Sequence, residues 1–288
     1  MTTDARVSFH HELDEIRTGV VRLAAMVTEA IPRGTEVLLS GDLQAARSLI
    51  EDDDAIDALA LEVEEHCYSV LALQQPMAGD LRAIITAIRL VSEIERSGDL
   101  VVNIAKGARR LYGTTFEPRV RGLIEQMSEE SMRLFRLSID AYAEGNAGLA
   151  AALDDIDDRL DDLHSEYIQA IFLSHHSGNL TVESGVQLAL IGRYYERIGD
   201  HAVNIGNRVQ YMVTGWLPEH SGAARAQARA DRATSGAAAD VPVEGAPAVG
   251  RIDGNGNGDG PNGDDGGDEG GGRPELRLAS TPDEDAGP

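Results

Sequence analysis

The feature that most constrains the fold is an echo within the chain. Glu95-Arg96-Ser97-Gly98-Asp99-Leu100-Val101-Val102-Asn103-Ile104 returns as Glu196-Arg197-Ile198-Gly199-Asp200-His201-Ala202-Val203-Asn204-Ile205. Glu, Arg, Gly, Asp, Val, Asn and Ile recur in register. A repeat this close implies that one supersecondary unit has been built twice. The flanking sequence agrees. Gly41-Asp42 is matched 104 residues later by Gly145-Asn146. At the same offset, Asp53-Asp54-Ala55-Ile56-Asp57-Ala58-Leu59 is matched by Asp157-Asp158-Arg159-Leu160-Asp161-Asp162-Leu163. The final echo sits at an offset of 101, so the halves differ by three residues near the turn before the last helix.

Apolar residues recur at helical steps throughout the repeated part. Phe9, Leu13, Ile16, Val20, Leu23 and Val27 predict a first helix over 6–40, and Pro32 inside this span can kink or break it. Ser40-Gly41-Asp42 reads as a turn and a cap. A second helix is expected over 42–74, with a buried stripe of Leu49, Ile56, Ala60, Val63, Cys67 and Leu71, ending at Gln75-Pro76. A third spans 78–112. The second half repeats the pattern as helices over 117–144, 147–174 and 180–215. Short connections between long helices imply antiparallel neighbours. The predicted fold is therefore all-α: two tandem three-helix bundles related by duplication, 6–113 and 117–216.

Composition supports this and narrows the partners. Aromatics make up 4% and there is one cysteine, which excludes a disulfide framework and a multi-cysteine zinc site. No apolar run is long enough to span a bilayer, and no signal segment is evident, so a soluble cytoplasmic protein is expected. The formal net charge is −24. The stretch after Pro218 holds 14 acids and six Lys/Arg and carries −8 of it, so the helical part is acidic too. Phosphates would be repelled, so nucleic acid is not an expected partner; cations or basic protein surfaces are. Residues 218–288, rich in Ala, Gly, Asp and Pro, cannot bury enough apolar surface to offset their ordering entropy and are expected to be a disordered tail.

Four acidic pairs share one spacing: Asp53/Asp57, Glu95/Asp99, Asp157/Asp161 and Glu196/Asp200. Residues four apart project from one helix face, where like charges repel. Glu95 and Asp99 fall on the side of Leu81, Ile84, Ile88 and Val102, the stripe that should face other helices. Desolvated carboxylates need a partner. Four hard oxygen donors gathered in each half would suit divalent or trivalent cations, iron, manganese or magnesium before zinc. The alternative for the aspartate runs is a solvated helix start; for Glu95 and Glu196 it is an ion pair with Arg96, Arg197, Arg89 or Arg193. Asn103 and Asn204 continue the acid face as donors to carboxylates or as packing contacts. His164 stands i+3 from Asp161, as in di-iron carboxylate bundles, but its first-half equivalent is Ala60, and an ordinary partly buried histidine is expected. Cys67 reads as a core residue rather than a nucleophile.

An Asp-x-x-Φ-Asp-x-Leu segment (Φ apolar) and a Glu-Arg-x-Gly-Asp-x-x-x-Asn-Ile segment in each of two three-helix repeats resemble the PhoU-type phosphate-signalling regulators. Gln75-Pro76 followed by Asp80-Leu81-Arg82 resembles that family's link between helices; the second half has Thr181-Val182-Glu183 there instead, leaving Arg82 without a second copy. The resemblance covers residues 6–215. It implies a non-enzymatic negative regulator of the phosphate-starvation response, an adaptor between the ATPase subunit of a phosphate importer and a sensor histidine kinase, reaching the membrane only through those partners. Homodimers are compatible with it. It also implies that the metal ligands are Asp53, Asp57, Glu95 and Asp99 in one half and Asp157, Asp161, Glu196 and Asp200 in the other, around multinuclear clusters with iron as first choice and zinc, manganese or magnesium as alternatives. The competing readings are a carboxylate-bridged metal enzyme and a purely structural helical scaffold.

Overall fold

The computed structural model describes residues 3–216, with side chains from Ser8 onward. The expected tail, 218–288, lies outside the described residues. Among the described residues seven helices follow one another: α1 (Thr3–Ser40), α2 (Leu43–Glu51), α3 (Asp53–Gln74), α4 (Gly79–Arg110), α5 (Pro118–Glu144), α6 (Ala147–His176) and α7 (Val182–Thr214). No strand occurs among the described residues. The fold is all-α and built from two repeats: α4 packs against α1 and α3 in the first, α7 against α5 and α6 in the second.

The turns behave as their residues dictate. Gly41 and Gly145 both take the left-handed conformation, at φ 68° and 63°, where a side chain would be strained. Each is followed by a capping residue: the Asp42 carboxylate accepts from the Gln44 and Ala45 amides, and Asn146 Oδ1 from the Leu149 amide. Helix α3 stops at Gln74, and Gln75, ahead of Pro76, is left-handed at φ 46°.

Helix continuity settles one open point and corrects one expectation. Pro32 does not interrupt α1. A proline inside a helix costs about 3 kcal/mol, but Val27 and Ile31 before it and Val37 and Leu38 after it are all buried, each contributing about 1.5–3 kcal/mol. The helix expected over 42–74 is two helices. Aspartates compete for local backbone amides and weaken a helix interior, and three stand in a row at 52–54. At Asp52 the bonding tightens, with the Ala55 amide donating to the Asp52 carbonyl at 3.2 Å. The Asp52 carboxylate is drawn to Arg33 on α1 at 2.6 Å.

The repeats share one core. Leu23, Ile31, Leu90 and Ile94 from the first half join Ile124, Phe135, Tyr167 and Tyr195 from the second in a single buried cluster. Helices α4 and α7 run antiparallel along the junction, as bonds from Arg82 Nε to the Met212 carbonyl (3.3 Å), Asn204 Nδ2 to Glu93 Oε2 (3.4 Å) and between Ser97 Oγ and His201 Nδ1 (3.0 Å) show. Between α1, α5 and α7, Thr35 Oγ1 lies 2.6 Å from Ser128 Oγ and 2.7 Å from Tyr195 Oη, all buried. Leu81, expected on the buried stripe of α4, is 36% exposed, because Arg82 rather than Leu81 turns toward α7. Leu71 is only partly buried.

Candidate functional site

The duplication places the four acidic pairs on two helix–helix seams. Asp53 and Asp57 stand on α3 beside Glu95 and Asp99 on α4; Asp157 and Asp161 stand on α6 beside Glu196 and Asp200 on α7. Within each pair the first acid turns inward. Asp157 is buried, and Asp53, Glu95 and Glu196 are partly buried; Asp57, Asp99 and Asp200 are exposed and Asp161 is intermediate. The expectation that both Glu95 and Asp99 lie on the buried stripe of α4 therefore holds for Glu95 in part and not for Asp99, which sits at the rim.

The glycine of the repeated motif explains how the inner aspartates reach the neighbouring helix. A Cβ on Gly199 would lie 2.5 Å from Asp157 Oδ1 and 2.6 Å from Leu160 Cδ2. A Cβ on Gly98 would lie 3.5 Å from Asp53 Oδ1 and 3.5 Å from Ile56 Cγ2. The missing side chain is thus the space into which the carboxylate fits, tightly in the second half and loosely in the first. On its open side Asp53 borders a cleft of about 250 Å³ between α1, α2, α3 and α4, also lined by Glu29 and Arg33.

Both clusters are electrostatically uncomfortable. Burial, then Asp57, Asp99 and Glu95, push the Asp53 carboxyl up to about 6 against the pull of Lys106. Burial, then Asp99 and Asp57, raise Glu95, with Arg96 opposing. Burial, then Asp161, Asp200, Asp154 and Asp158, push Asp157 up to about 7. Asp157 Oδ1 is buried without a hydrogen-bond partner. These are carboxylates that a cation would relieve. No three of the eight acids have oxygens mutually within 4.8 Å among the described residues, so neither seam presents a ready-made cage for an ion.

The ion-pair alternatives divide between the halves. Arg96 turns away from Glu95 to Glu93, at 2.9 Å. Glu196 Oε2, by contrast, lies against Arg193 Nη1, although without hydrogen-bond alignment, and Arg193 Nη2 is 3.9 Å from Asp200. Asn204 does not serve the acid pairs; it bonds Glu93 across the junction. His164 is partly buried as expected, but its Nε2 is buried without a hydrogen-bond partner, and burial followed by Arg193 lowers its pKa. His201 is buried, and burial then Arg96 and Arg197 hold it down to about 4, so it stays neutral. Cys67 is fully buried and its thiol is pushed up to about 12 by burial, which fits a core residue and not a nucleophile.

One cluster was missed in the sequence. Among the described residues, the trio whose ligand-type atoms all lie within 4.8 Å is Glu12, Glu15 and His66, with His66 Nε2 at 2.6 Å from Glu12 Oε2 across α1 and α3. Glu12 and Glu15 have same-face helical spacing, but nothing in the sequence sets the register that brings His66 opposite them. The buried Glu130, held by Arg133 and near Arg159 at 3.7 Å, was likewise not singled out.

The PhoU domain model matches this chain twice, over residues 20–108 and 124–209, one match per repeat. The chain belongs to the PhoU family. Its PhoU relatives include the phosphate-specific transport system accessory protein PhoU homolog 1 of Mycobacterium tuberculosis, 36% identical over 214 residues, covering 74% of this chain and 96% of the relative. Homolog 2 of the same organism is 34% identical over 214 residues, covering 74% and 100%. Among solved structures, PhoU from Pseudomonas aeruginosa superposes with a TM-score of 0.68 at 27% identity, covering 72% of this chain and 100% of that one. The phosphate transport system regulatory protein PhoU from Streptococcus pneumoniae gives 0.66 at 27%, covering 73% and 98%. Among the described residues, no helix is long and apolar enough to cross a membrane.

Proposed function

We propose that this PhoU-family chain is a cytoplasmic accessory regulator of phosphate transport. It restrains the phosphate-starvation response when phosphate is ample, by engaging the ATPase subunit of the importer and a sensor histidine kinase. The observation that carries this reading is that both repeats match the PhoU domain, and relatives covering three-quarters of the chain are named as phosphate-specific transport system accessory proteins. The site chemistry favours a regulator over an enzyme: the one cysteine is buried and unreactive, and His201 is buried, neutral and bonded to Ser97. An adaptor works by binding one state of its partner better than another, which requires docking surface rather than a reaction centre.

The acids fit a cation, on the strength of the desolvated Asp53 and Glu95 and the unpartnered Asp157 Oδ1. Asp53, Asp57, Glu95 and Asp99 would hold one metal centre and Asp157, Asp161, Glu196 and Asp200 the other. The metal would supply positive charge that cancels the repulsion; the chain's own part is to orient the carboxylates and tie α3 to α4 and α6 to α7. Iron is the first candidate, with manganese, magnesium or zinc as alternatives.

Two experiments test the reading. A strain lacking the chain should express phosphate-uptake genes in high phosphate, and the full-length chain should co-purify with the importer ATPase subunit and the kinase; normal repression in that strain overturns the regulatory role. Elemental analysis of untagged protein should show metal that is lost when all eight acids become Asn or Gln. Equal metal content in the two proteins removes the acids as ligands.

A further inference from the structure

Away from the acidic seams, one cluster mixes nitrogen with oxygen donors. Glu12 and Glu15 stand three apart on one face of α1, and His66 comes up to them from α3. His66 Nε2 lies 2.6 Å from Glu12 Oε2, and the three ligand-type atoms are all within 4.8 Å of one another. His11 Nε2 adds a donor alongside, 3.4 Å from Glu15 Oε1. The backbone sets this approach. A Cβ on Gly19 would come within 2.7 Å of Val63 Cγ2, so α1 and α3 are in close contact about two turns from Glu12 and one turn from His66. The His66 and Glu12 side chains are mostly covered, at 28% and 34% exposed. The cluster opens on a cleft of about 420 Å³ that also holds Asp14 and Glu62. The arginine in its lining, Arg22, stands two turns, about 10 Å, along α1 from Glu15. Among the described residues, Glu12 and Glu15 pair with imidazoles and with no Lys or Arg.

We propose that Glu12, Glu15 and His66 form a site for one Zn²⁺ ion, with His11 placed to complete its coordination, and that the ion staples the start of α1 to α3. Imidazole nitrogen joined with carboxylate oxygen is a zinc donor set, whereas purely oxygen groups suit magnesium, calcium or manganese. With bonds of about 2.0–2.1 Å, tetrahedral zinc ligands stand about 3.3 Å from one another. The His11–Glu15 separation of 3.4 Å is already of that size. The His66–Glu12 separation of 2.6 Å is a hydrogen-bond length and has to open by about 0.7 Å. The ion takes the place of the proton held between those two groups, which leaves to solvent. Two carboxylates without a Lys or Arg partner then balance its charge. The site belongs to the first repeat alone: 104 residues on, Arg119 and Ala170 stand where Glu15 and His66 do. It is independent of any metal at the acidic seams.

The test is calorimetric titration of the full-length, metal-stripped chain with Zn²⁺ in excess Mg²⁺, which competes for all-oxygen sites but poorly for imidazole. Each variant is first shown by its helical melt to be folded. The wild type should bind one Zn²⁺ more than His66→Gln. Glu15→Gln, which leaves the Glu12–His66 bond in place, should weaken that binding by at least about tenfold. Asp53→Asn with Glu95→Gln, and Asp157→Asn with Glu196→Gln, should each keep it. Hydrogen exchange followed by mass spectrometry reads the staple: Zn²⁺ should slow exchange of the amides around Glu12 in the wild type and not in His66→Gln. Zn²⁺ stoichiometry and affinity unchanged in both His66→Gln and Glu15→Gln, or no Zn²⁺ bound by the wild type, overturns the site. Zn²⁺ bound through His66 with no slowing of exchange around Glu12 overturns the staple.

Discussion

Gly98 and Gly199 occupy the same place in the repeated motif, yet the structure assigns them opposite responses to alanine. At Gly199 the new Cβ would be 2.5 Å from Asp157 Oδ1 and 2.6 Å from Leu160 Cδ2, closer than real Cβ contacts come, so both of these buried side-chain ends must shift. Overpacking of this kind costs about 1–3 kcal/mol. Replacing a mid-helix glycine by alanine returns about 0.5–1 kcal/mol through the unfolded chain and helix propensity. Gly199→Ala should therefore destabilise by a net of about 0–2.5 kcal/mol. At Gly98 the nearest atoms are at 3.5 Å, an ordinary contact, so the propensity gain stands alone. Gly98→Ala should stabilise by up to about 1 kcal/mol. The two variants should be separated by about 1–3 kcal/mol. Urea unfolding followed by far-ultraviolet circular dichroism, with chelator present so that metal binding does not enter, measures the difference through the midpoints at constant m. Adding Asp157→Ala to Gly199→Ala should recover part of the loss, since the two sites are in contact and should not be additive. Equal midpoints for the two alanine variants, or a larger loss at Gly98, would refute the close-approach argument.

Two further outcomes follow from the same geometry. A carboxyl whose folded pKa is raised binds its proton more tightly in the folded than in the unfolded state, so the stability it contributes is fully present below about 3.8 and is lost as pH rises through about 7 for Asp157 and about 6 for Asp53; in chelator, the wild-type melting temperature should fall between pH 5 and 8, and Asp157→Asn should flatten that slope, whereas an identical slope in the variant would count against a buried, proton-holding Asp157. Tyr195→Phe removes the buried 2.7 Å bond to Thr35 while leaving Thr35 its contact with Ser128, and should cost about 0.5–1.5 kcal/mol in urea unfolding; no loss would mean that the Tyr195 hydroxyl contributes nothing to joining the repeats.

The repeat and the helices were legible because each rests on local information. The echo around Glu95 and Glu196 fixed the duplication, and Gly41-Asp42 and Gly145-Asn146 fixed turns whose chemistry depends on two or three residues. What was not legible depends on partners distant in the chain. Asp52 breaks the expected second helix with help from Arg33, 19 residues earlier. Its counterpart region in α6 runs through Asp157 unbroken, so Asp53 starts a helix while Asp157 lies inside one. The spacing of Glu95 and Asp99 showed that they share a face; it could not show that the seam is narrow enough to hold only the first of them. Arg193 was one of four arginines near the acids in sequence, and only the packing of α7 selects it over Arg197 for Glu196.

The Ser97–His201 bond at the α4–α7 junction bears on how the two halves recognise each other. Under the repeat, Ser97 corresponds to Ile198 and Leu100 to His201. All four are buried. The junction therefore has this buried polar pair, and the two equivalent positions are both apolar. A first repeat pairing with a second copy of itself would set Ser97 against Leu100, and a second repeat pairing with itself would set Ile198 against His201. Either arrangement strands a buried polar group that the mixed pairing satisfies, at about 1–3 kcal/mol for each group left without a partner. The seam discriminates against self-association of like halves, so two chains meeting side by side are biased against pairing first repeat with first or second with second.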